Sequence, residues 1–485
     1  MTETVPVATV AEPHFRRSLG ALQATAINMT QMCGIGPFIT IPLAIAAMHG
    51  PQAMIGWVLG AVLVMADGLV WAELGAAMPG AGGTYLYLRE AFQYRTGKLM
   101  PFLFVWTAMI FIPLIMSTGV IGMLDYLGYY LPNFTPAHLG QTQYWLIRGG
   151  LSTLIVAIVV FTLYRDVRDV GRLATVLWII MFITVISVIV ASFTHFHAKL
   201  AFDFPPDAFK INSGFFAGLG AVLVVAVYDY LGYNTTAYMA AELREPGRTI
   251  PRSIAFSIAG MMLIYLVMNI GILGVVPWQE SVKSTAIASD VLERSWGKPV
   301  AKIITGLIIL TAFGSVFAGI LGGSRVPFNA AKDKVFLPMF GRLHPRGNFP
   351  HIALLTMGVI TAIGSFFNLA TVIAVLTAVM VLIQCIAQIV ALILLRQYQP
   401  DLKRPYRMLL YPIPALIALA GWIYLYYATT KSTDAAGNEL GLKAIWLSLG
   451  WVALGVIAFL AWAAMEQIWP FGPLEIREEF ATEIK

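Results

Sequence analysis

The chain has 485 residues, of which 59% are hydrophobic and only 12% are charged, whereas roughly 25% are charged in an average soluble protein. Apolar runs of about 20 residues, each long enough to cross a bilayer, recur along the whole chain, and they exclude a soluble globular enzyme. The net charge of +6 reflects basic loops on one side of a membrane and is no argument for nucleic acid as a partner.

The apolar runs predict an all-α integral membrane protein with twelve transmembrane helices. Most of the 31 basic residues fall in segments on the same side as the N-terminus, so both tails, 1–18 and 466–485, are predicted to be cytoplasmic. The first residues are polar, so we expect no cleavable signal peptide and a multi-pass protein of the plasma (cytoplasmic) membrane. The predicted spans lie near residues 20–48, 53–78, 98–123, 146–164, 171–194, 213–241, 253–277, 300–326, 351–367, 370–396, 409–428 and 443–465.

The first span carries the sequence MCGIGPFITIP, from Met32 to Pro42, in mid-membrane. Glycine weakens a helix, and proline removes an N–H donor and clashes with the preceding turn. We therefore predict a break near residues 33–37 that leaves Pro37 in the first turn of a second half-helix. Broken backbone in a bilayer is tolerated only where it is buried in protein or lines a cavity. The segment is either part of a binding site or a simple proline kink.

Other features of the spans and loops carry weaker signals. Cys33 and Cys385 both lie within apolar runs, so we predict no disulfide framework. Asp67 lies in the second span, where an ionisable side chain marks a functional site by default; a structural role and a role in coupling or gating are both open. The outer segments 124–145, 195–212 and 278–299 are expected to form at most small caps.

The sixth span contains VVAVYDYLGYNTTAYMAAEL, in which Asp229, Gly232 and Asn234 interrupt an apolar run. If spans one to five and six to ten are inverted repeats, the first and sixth spans correspond. Two interrupted helices at matching positions predict a transporter binding site. Asp229 has three open roles: a ligand for a cationic substrate, a proton carrier, or a buried neutral acid of structural importance.

Four motifs follow one another over spans one to ten: GIGPFITIP, GPQAMIGWVLGAVLVMADGLVWAELGAAMPGAGGTYLYL, GYNTTAYMAAELREPGRTIPRSI and GSRVPFNAAKDKVFLPMFGRLHPRGNFPHIALL. In order and spacing they resemble the amino acid–polyamine–organocation (APC) superfamily of secondary transporters. The resemblance implies a LeuT-type fold with broken helices 1 and 6. Its transporter core would be residues 19–396, with inverted repeats at about 19–194 and 213–396, followed by two peripheral spans in 397–465.

The resemblance also implies a substrate site between the two breaks. In amino acid carriers of the family, N–H groups of the first break hold the substrate carboxylate, and carbonyls of both breaks hold its ammonium group. Carried over, the N–H donors are Gly34, Ile35 and Gly36. Tyr233 matches the large aromatic that borders the substrate, and Asn234 matches a polar residue that follows it. The full set of predicted substrate-binding residues is Thr30, Gln31, Gly34, Ile35, Gly36, Tyr228, Asp229, Leu231, Gly232, Tyr233 and Asn234.

Two departures from the family pattern leave the substrate class open. Many amino acid carriers have Gly-Ser-Gly-Ile where this chain has Gly34-Ile35-Gly36-Pro37, so a hydroxyl and one N–H donor are missing here. A Gly-Pro-Phe at this place resembles the polyamine and cationic amino acid branch. Against that branch, the acidic residue that it places after the span-six aromatic is Asn234 in this chain.

The coupling ion is open as well. Several relatives carry a lysine on span five in place of a sodium ion, whereas Met181 stands near the equivalent position here. Sodium could bind carbonyls of the first span together with hydroxyls of the eighth, such as Ser315 or Ser324. Protons could act through Asp229 or Asp67, although Asp67 lies away from both breaks in the family's arrangement.

We therefore predict a secondary active transporter, a symporter or exchanger, that moves amino acids by alternating access. The alternative is a polyamine or other organic cation transporter. The expected partners are the small-molecule substrate, membrane lipid and a coupling proton; no enzymatic activity, cofactor or metal site is expected. Heterodimeric relatives use a cysteine between spans three and four. Segment 124–145 has none, so we predict no disulfide-linked subunit.

Overall fold

The computed structural model describes residues 19–80, 82–131, 133–134, 136–164, 167–345, 349–433, 438–467, 469 and 471. The predicted N-terminal tail and nearly all of the C-terminal tail lie outside these residues. The described chain is helical apart from its loops and two isolated backbone bridges. Its α-helices are α1 (Ala21–Met32), α2 (Gly36–Met48), α3 (Ile55–Ala77), α4 (Thr84–Thr96), α5 (Leu99–Gly128), α6 (Pro136–Leu139), α7 (Gln141–Leu163), α8 (Val167–Thr194), α9 (Ala198–Ala201), α10 (Ser213–Asp229), α11 (Thr235–Tyr238), α12 (Pro246–Leu273), α13 (Trp278–Ser281), α14 (Ile287–Trp296), α15 (Lys298–Gly323), α16 (Arg325–Lys332), α17 (His351–Gly364), α18 (Leu369–Met380), α19 (Ala387–Tyr398), α20 (Ile413–Ala428) and α21 (Lys443–Met465).

Many of these helices are suited to a bilayer. In the described chain, eight are long and apolar enough to cross a membrane, and the bent pair α1 and α2 makes a ninth. Three further apolar helices are shorter: residues Ile179–Thr194 within α8, α10 and α17. All of these segments fall on the apolar runs from which the spans were predicted. The chain is therefore an all-helical, multi-pass membrane protein.

The first predicted break is present. Helix α1 ends at Met32 and α2 begins at Gly36, with a bend of 54° between them. Pro37 is the second residue of α2, where its missing N–H removes no helical hydrogen bond. The prediction from the two glycines and the proline is thus confirmed, and its cause is local backbone chemistry.

Two groups of helices surround the broken segments. Helix α5 packs against α15, α17 and α18, while α3 packs against α12, α10 and α20. Most side chains of α3 and α5 are buried, as expected of helices enclosed by other helices. Helix α1 rests on α12, whereas α2 rests on α10. The two halves of the first span therefore have different neighbours.

A buried carboxylate fixes the end of α3. Glu73 is 1% exposed and accepts hydrogen bonds from Arg396 at 2.8 and 2.5 Å. Its Oε1 lies 3.5 Å from Nε of Arg404, and its Oε2 accepts from the backbone N–H of Met408 at 2.7 Å. The charge of Glu73 is thus compensated by two guanidinium groups, and it ties the segment 399–412 to α3.

Segment 278–299 forms more than the small cap expected from its sequence. Its ten-residue helix α14 packs on α15, α8 and α2, and its buried face includes Ile287, Val291 and Leu292. The helix is strongly amphipathic, with its charged residues on the opposite face. It therefore forms part of the core and packs against the second half of the first span.

Candidate functional site

The second break follows α10. That helix ends at Asp229, and the next helical turn, α11, begins only at Thr235. Between them Gly232 has a φ of +113°, a conformation that residues with a side chain rarely adopt. A Cβ atom at Gly232 would lie 2.7 Å from the Cβ of Gln31. Gly232 and Gln31 are 201 positions apart in the sequence, so the two interrupted segments are distant along the chain but in direct contact in the fold.

Tyr265 on α12 joins the two breaks. Its buried hydroxyl lies 2.8 Å from the carbonyl oxygen of Met32 and 2.7 Å from that of Asp229, and it shares its single proton between these two acceptors. Both carbonyls belong to the last residue of a helix, where helical N–H partners are lacking. One phenol thus serves two orphan carbonyls and holds the ends of α1 and α10 side by side. Tyr265 is not among the predicted site residues, because nothing in its apolar run marks it.

A cavity of about 40 Å³ lies between the breaks. This volume holds about three water molecules, so it must widen before a molecule of several heavy atoms can enter. Most of the predicted substrate-binding residues line it, together with residues of α5 that the sequence analysis did not select. The lining residues are Gln31, Met32, Gly34, Ile35, Gly36, Ile115, Thr118, Gly119, Tyr228, Asp229, Leu231 and Ser315.

Asp229 is the one acidic or basic residue among those that line this cavity. Its Oδ2 accepts hydrogen bonds from the Thr40 hydroxyl at 2.8 Å and the Trp57 indole N–H at 3.0 Å. Its Oδ1 is buried and has no hydrogen-bond partner in the described part of the chain. A Cβ atom at Gly36 would lie 2.7 Å from this Oδ1. A side chain at position 36 would therefore clash with the carboxylate, and glycine avoids this clash.

The first break offers unused hydrogen-bond donors. The backbone N–H groups of Gly34, Ile35 and Gly36 have no acceptor within the described residues. They lie at the N-terminal end of α2, where the helix dipole favours a negative charge. Pro37 adds no donor, because it has no N–H. The break can therefore bind an anionic group through up to three backbone donors.

Hydroxyl groups form another part of the wall. The hydroxyls of Tyr228 and Thr118 lie 2.5 Å apart and link α10 to α5. The Oγ of Ser315 faces the first break, 2.9 Å from where a Cβ at Gly34 would lie. Ser324 donates instead to the carbonyl of Leu321, within its own helix region. Of the two hydroxyls predicted as sodium ligands, only Ser315 lines the cavity.

Tyr233 points away from the cavity. Its hydroxyl donates to Oδ2 of Asp67, whose Oδ1 accepts from the Trp422 indole N–H at 2.9 Å. Both Tyr233 and Asp67 are buried. We expected Tyr233 to border the substrate and Asp67 to lie away from both breaks. The structure instead joins them to each other beside the second break, outside the cavity lining.

The remaining residues considered in the sequence lie outside the cavity lining. The Thr30 hydroxyl donates to the carbonyl of Ala26, one turn back in α1, at 2.7 Å. Gly232 supplies the left-handed turn, and the buried Asn234 precedes α11. Met181, which stands in place of the lysine of some relatives, is buried in α8. None of these four lines the cavity described above.

The cavity is closed on the side of α2 and more open on the side of α1. On the side of α2, the Tyr126 hydroxyl donates to the carbonyl of Phe38 at 2.9 Å and accepts from the N–H of Ala288 at 3.3 Å. This joins α2, α5 and α14. On the other side α1 packs mainly on α12 and α11, and Gln31 is exposed although it lies at the break. The cavity therefore opens past α1.

Apolar helices that carry two touching breaks around a polar cavity form the architecture of a membrane transport protein. A sequence model described as Amino acid permease matches residues 19–464. The chain belongs to the amino acid permease family, within the APC superfamily, and it is a transporter rather than an enzyme.

Individual relatives are distant but cover most of the chain. The branched-chain amino acid permease BcaP of Bacillus subtilis is 24% identical, over 94% of this chain and 92% of its own length. The serine/threonine exchanger SteT of Bacillus subtilis is 25% identical, over 88% of this chain and 94% of its own length. Human cationic amino acid transporter 4 is 26% identical, over 72% of this chain and 55% of its own length. The three relatives are named for different amino acid substrates, so the similarity shows the family of this chain and does not identify one substrate.

Proposed function

We propose that the protein is a secondary transporter, a symporter or exchanger, that binds an amino acid between its two breaks. The observation that carries this proposal is the cavity. Within the described residues, the N–H groups of Gly34, Ile35 and Gly36 and one carboxylate oxygen of Asp229 have no hydrogen-bond partner. An α-amino acid carries an anionic and a cationic group on the same carbon. Both groups would find a complementary partner within one small site.

The cavity is closed on the side of α2 and open past α1, and this difference supports transport by alternating access. We propose a LeuT-type arrangement of twelve spans, with inverted repeats at about 19–194 and 213–396 and two peripheral spans in 397–465. With both termini on the cytoplasmic side of the plasma membrane, the opening past α1 faces the cytoplasm. Helix α14 and the Tyr126 contacts would then form the closed outer gate. Transport requires these contacts to separate while α1 moves onto the cavity.

The cavity wall favours amino acids with an uncharged side chain. Apart from the groups already assigned and the amide of Gln31, the wall consists of the apolar side chains of Met32, Ile35, Ile115 and Leu231, and of Gly119. None of these residues carries a charge that could pair with a charged substrate side chain. The named substrates of the branched-chain permease and of the serine/threonine exchanger have uncharged side chains. A polyamine or other organic cation is the second candidate. The unpaired Oδ1 of Asp229 favours it, because a carboxylate alone can bind an amine.

A thermal-shift screen of the purified protein in detergent tests this proposal. A ligand that binds the native state raises the melting temperature, and the stabilisation grows with the ratio of ligand concentration to Kd. We would compare each amino acid with its decarboxylated amine, for example L-leucine with 3-methylbutylamine and L-serine with ethanolamine, and add putrescine and spermidine. We expect stabilisation by amino acids and not by the amines. Stabilisation by the amines or polyamines alone would overturn amino acid binding in favour of organic cations.

A further inference from the structure

Asp229 is a buried carboxyl group without a counter-charge. It is 2% exposed, and no Lys, Arg or His of the described chain forms an ion pair with it. Glu73, by contrast, is equally buried but is compensated by Arg396 and Arg404. An uncompensated charge is costly in such surroundings, so the carboxylate must be neutralised by something other than the described residues of the chain. The candidates are a proton and a cationic group of the ligand.

The groups around Asp229 do not supply the missing charge. Among the described residues, its neighbours that can titrate are a thiol and three phenols, Cys33, Tyr228, Tyr230 and Tyr265. These groups are uncharged near neutral pH. Helix α10 packs on α2, α3, α18, α20 and the turn Thr429–Lys431. The titratable groups on those elements are Asp67, Glu73, Tyr424, Tyr426, Tyr427 and Lys431. Of these, the cation is Lys431, which pairs with Glu439.

The hydrogen bonds at Oδ2 suit both protonation states of Asp229. The Thr40 hydroxyl lies 2.9 Å from the carbonyl of Gly36 and 2.8 Å from Oδ2, but it has one proton to donate. When Asp229 is ionised, Thr40 donates to Oδ2. When Oδ2 carries a proton, Asp229 donates to Thr40, which then donates to the Gly36 carbonyl. The Trp57 N–H donates to Oδ2 in both cases.

The other oxygen is left for a ligand. Oδ1 is in the cavity wall with no partner in the described residues, close to Gly36 and so to the N–H groups of the first break. We propose that Asp229 is a shared site for a proton and for the ammonium group of the substrate, which displace each other. This inference rests on the proposed function. Binding of the substrate ammonium at Oδ1 releases the proton from Oδ2 through the opening past Gln31, and release of the substrate allows the proton to return.

The displacement predicts a specific dependence on pH. Where Asp229 is mostly protonated, each unit of rising pH removes a competing proton and lowers the Kd for an amino acid by about tenfold, until the carboxyl group is ionised. Binding at a pH where Asp229 is protonated also releases up to one proton per bound amino acid. A structural acid that keeps one protonation state would show neither effect.

Isothermal titration calorimetry on the purified protein measures both effects. The probe is the amino acid with the largest thermal shift, titrated from pH 5.5 to 8.5. At each pH, two buffers with different ionisation enthalpies give the number of protons released. The same amino acid with an acetylated amino group keeps its carboxylate but has no ammonium group. We expect its Kd to be at least tenfold higher than that of the parent, with no proton release.

Variants assign the effect to Asp229. Asp229→Asn keeps the shape of the side chain, and we expect at least tenfold weaker binding, no proton release and a flat pH profile. Asp229→Glu should retain the pH dependence. The control, Asp207→Asn, changes an exposed acid paired with Lys210 and should match the wild type.

The two proposals can fail separately. If no amino acid binds the wild type at any pH, the proposed function is wrong, and this inference falls with it. If an amino acid binds the wild type without proton release, or Asp229→Asn keeps the wild-type pH profile, only the shared site is overturned. Proton release by the wild type needs no variant, so poor folding of Asp229→Asn does not prevent the test.

Discussion

Gly232 and Gln31 are in contact across the two breaks. A Cβ atom at Gly232 would lie 2.7 Å from the Cβ of Gln31 and 3.1 Å from the backbone nitrogen of Met32. The close approach requires glycine for two reasons, the missing side chain and the φ of +113°. The end of α1 is therefore packed directly on the turn that follows α10.

Replacing Gly232 with alanine should separate the two breaks. The new methyl group meets backbone atoms that cannot turn away, and the backbone conformation is strained for any residue with a side chain. We expect Gly232→Ala to reduce amino acid uptake into proteoliposomes at least tenfold and to destabilise the fold by at least about 1 kcal/mol. The matched control is Gly322→Ala, since a Cβ there meets nothing within 4 Å. Equal uptake by the two variants would contradict the contact.

Removing the Tyr265 hydroxyl should loosen both breaks at once. In Tyr265→Phe the carbonyls of Met32 and Asp229 lose their shared donor. Each buried carbonyl left without a partner costs about 1–3 kcal/mol, less where water can enter. We expect a lower melting temperature and slower uptake, while the protein still inserts into the membrane. A variant with wild-type stability and wild-type uptake would show that the hydroxyl holds neither break.

The sequence predicted the parts of the site that depend on local chemistry. The first break follows from Gly34, Gly36 and Pro37, whose effect on a helix does not require knowledge of the fold. Asp229 stood out because an acid in an apolar run is rare and usually functional. The cavity lies at these residues in the structure.

The parts that were missed depend on contacts between distant segments. Tyr265 meets the carbonyl of a residue 233 positions away, and Trp57 reaches Asp229 across 172 positions. A sequence pattern gives no direction for a side chain, so the turn of the Tyr233 hydroxyl towards Asp67 could not be foreseen. The role of α14 was hidden for the same reason, because its buried face becomes meaningful only beside α2 and α15.

Tyr233 provides a test of this side-chain direction. Because its hydroxyl donates to Asp67 and not into the cavity, Tyr233→Phe should lower the melting temperature and leave the Kd for the amino acid within about threefold of the wild type. The expected loss of stability is about 1–3 kcal/mol, for a buried acceptor that loses one donor. Thermal unfolding and calorimetric binding give the two numbers. A large rise in Kd at unchanged stability would return Tyr233 to the substrate site.

Glu73 should matter for stability more than any surface ion pair. Glu73→Ala leaves the guanidinium groups of Arg396 and Arg404 without their buried partner, and breaking such a pair costs about 3–5 kcal/mol. The control, Lys210→Ala, removes an ion pair whose side chains are 69% and 72% exposed, which is worth about 0–1 kcal/mol. We expect the melting temperature to fall markedly in Glu73→Ala and to stay near that of the wild type in Lys210→Ala. Similar melting temperatures for both would contradict the compensating role of the two arginines.

The central claim is that an amino acid binds between the two breaks, and alkylation of a cysteine at position 31 tests it most directly. The native Cys33 and Cys385 are buried, whereas Gln31 is exposed and lines the cavity, so Gln31→Cys should react with N-ethylmaleimide much faster than the wild type. We predict that the amino acid with the largest thermal shift slows this reaction in proportion to its occupancy, and leaves the reaction of Asp207→Cys, an exposed loop position, unchanged. A stabilising amino acid that leaves the alkylation rate at position 31 unchanged would contradict the site.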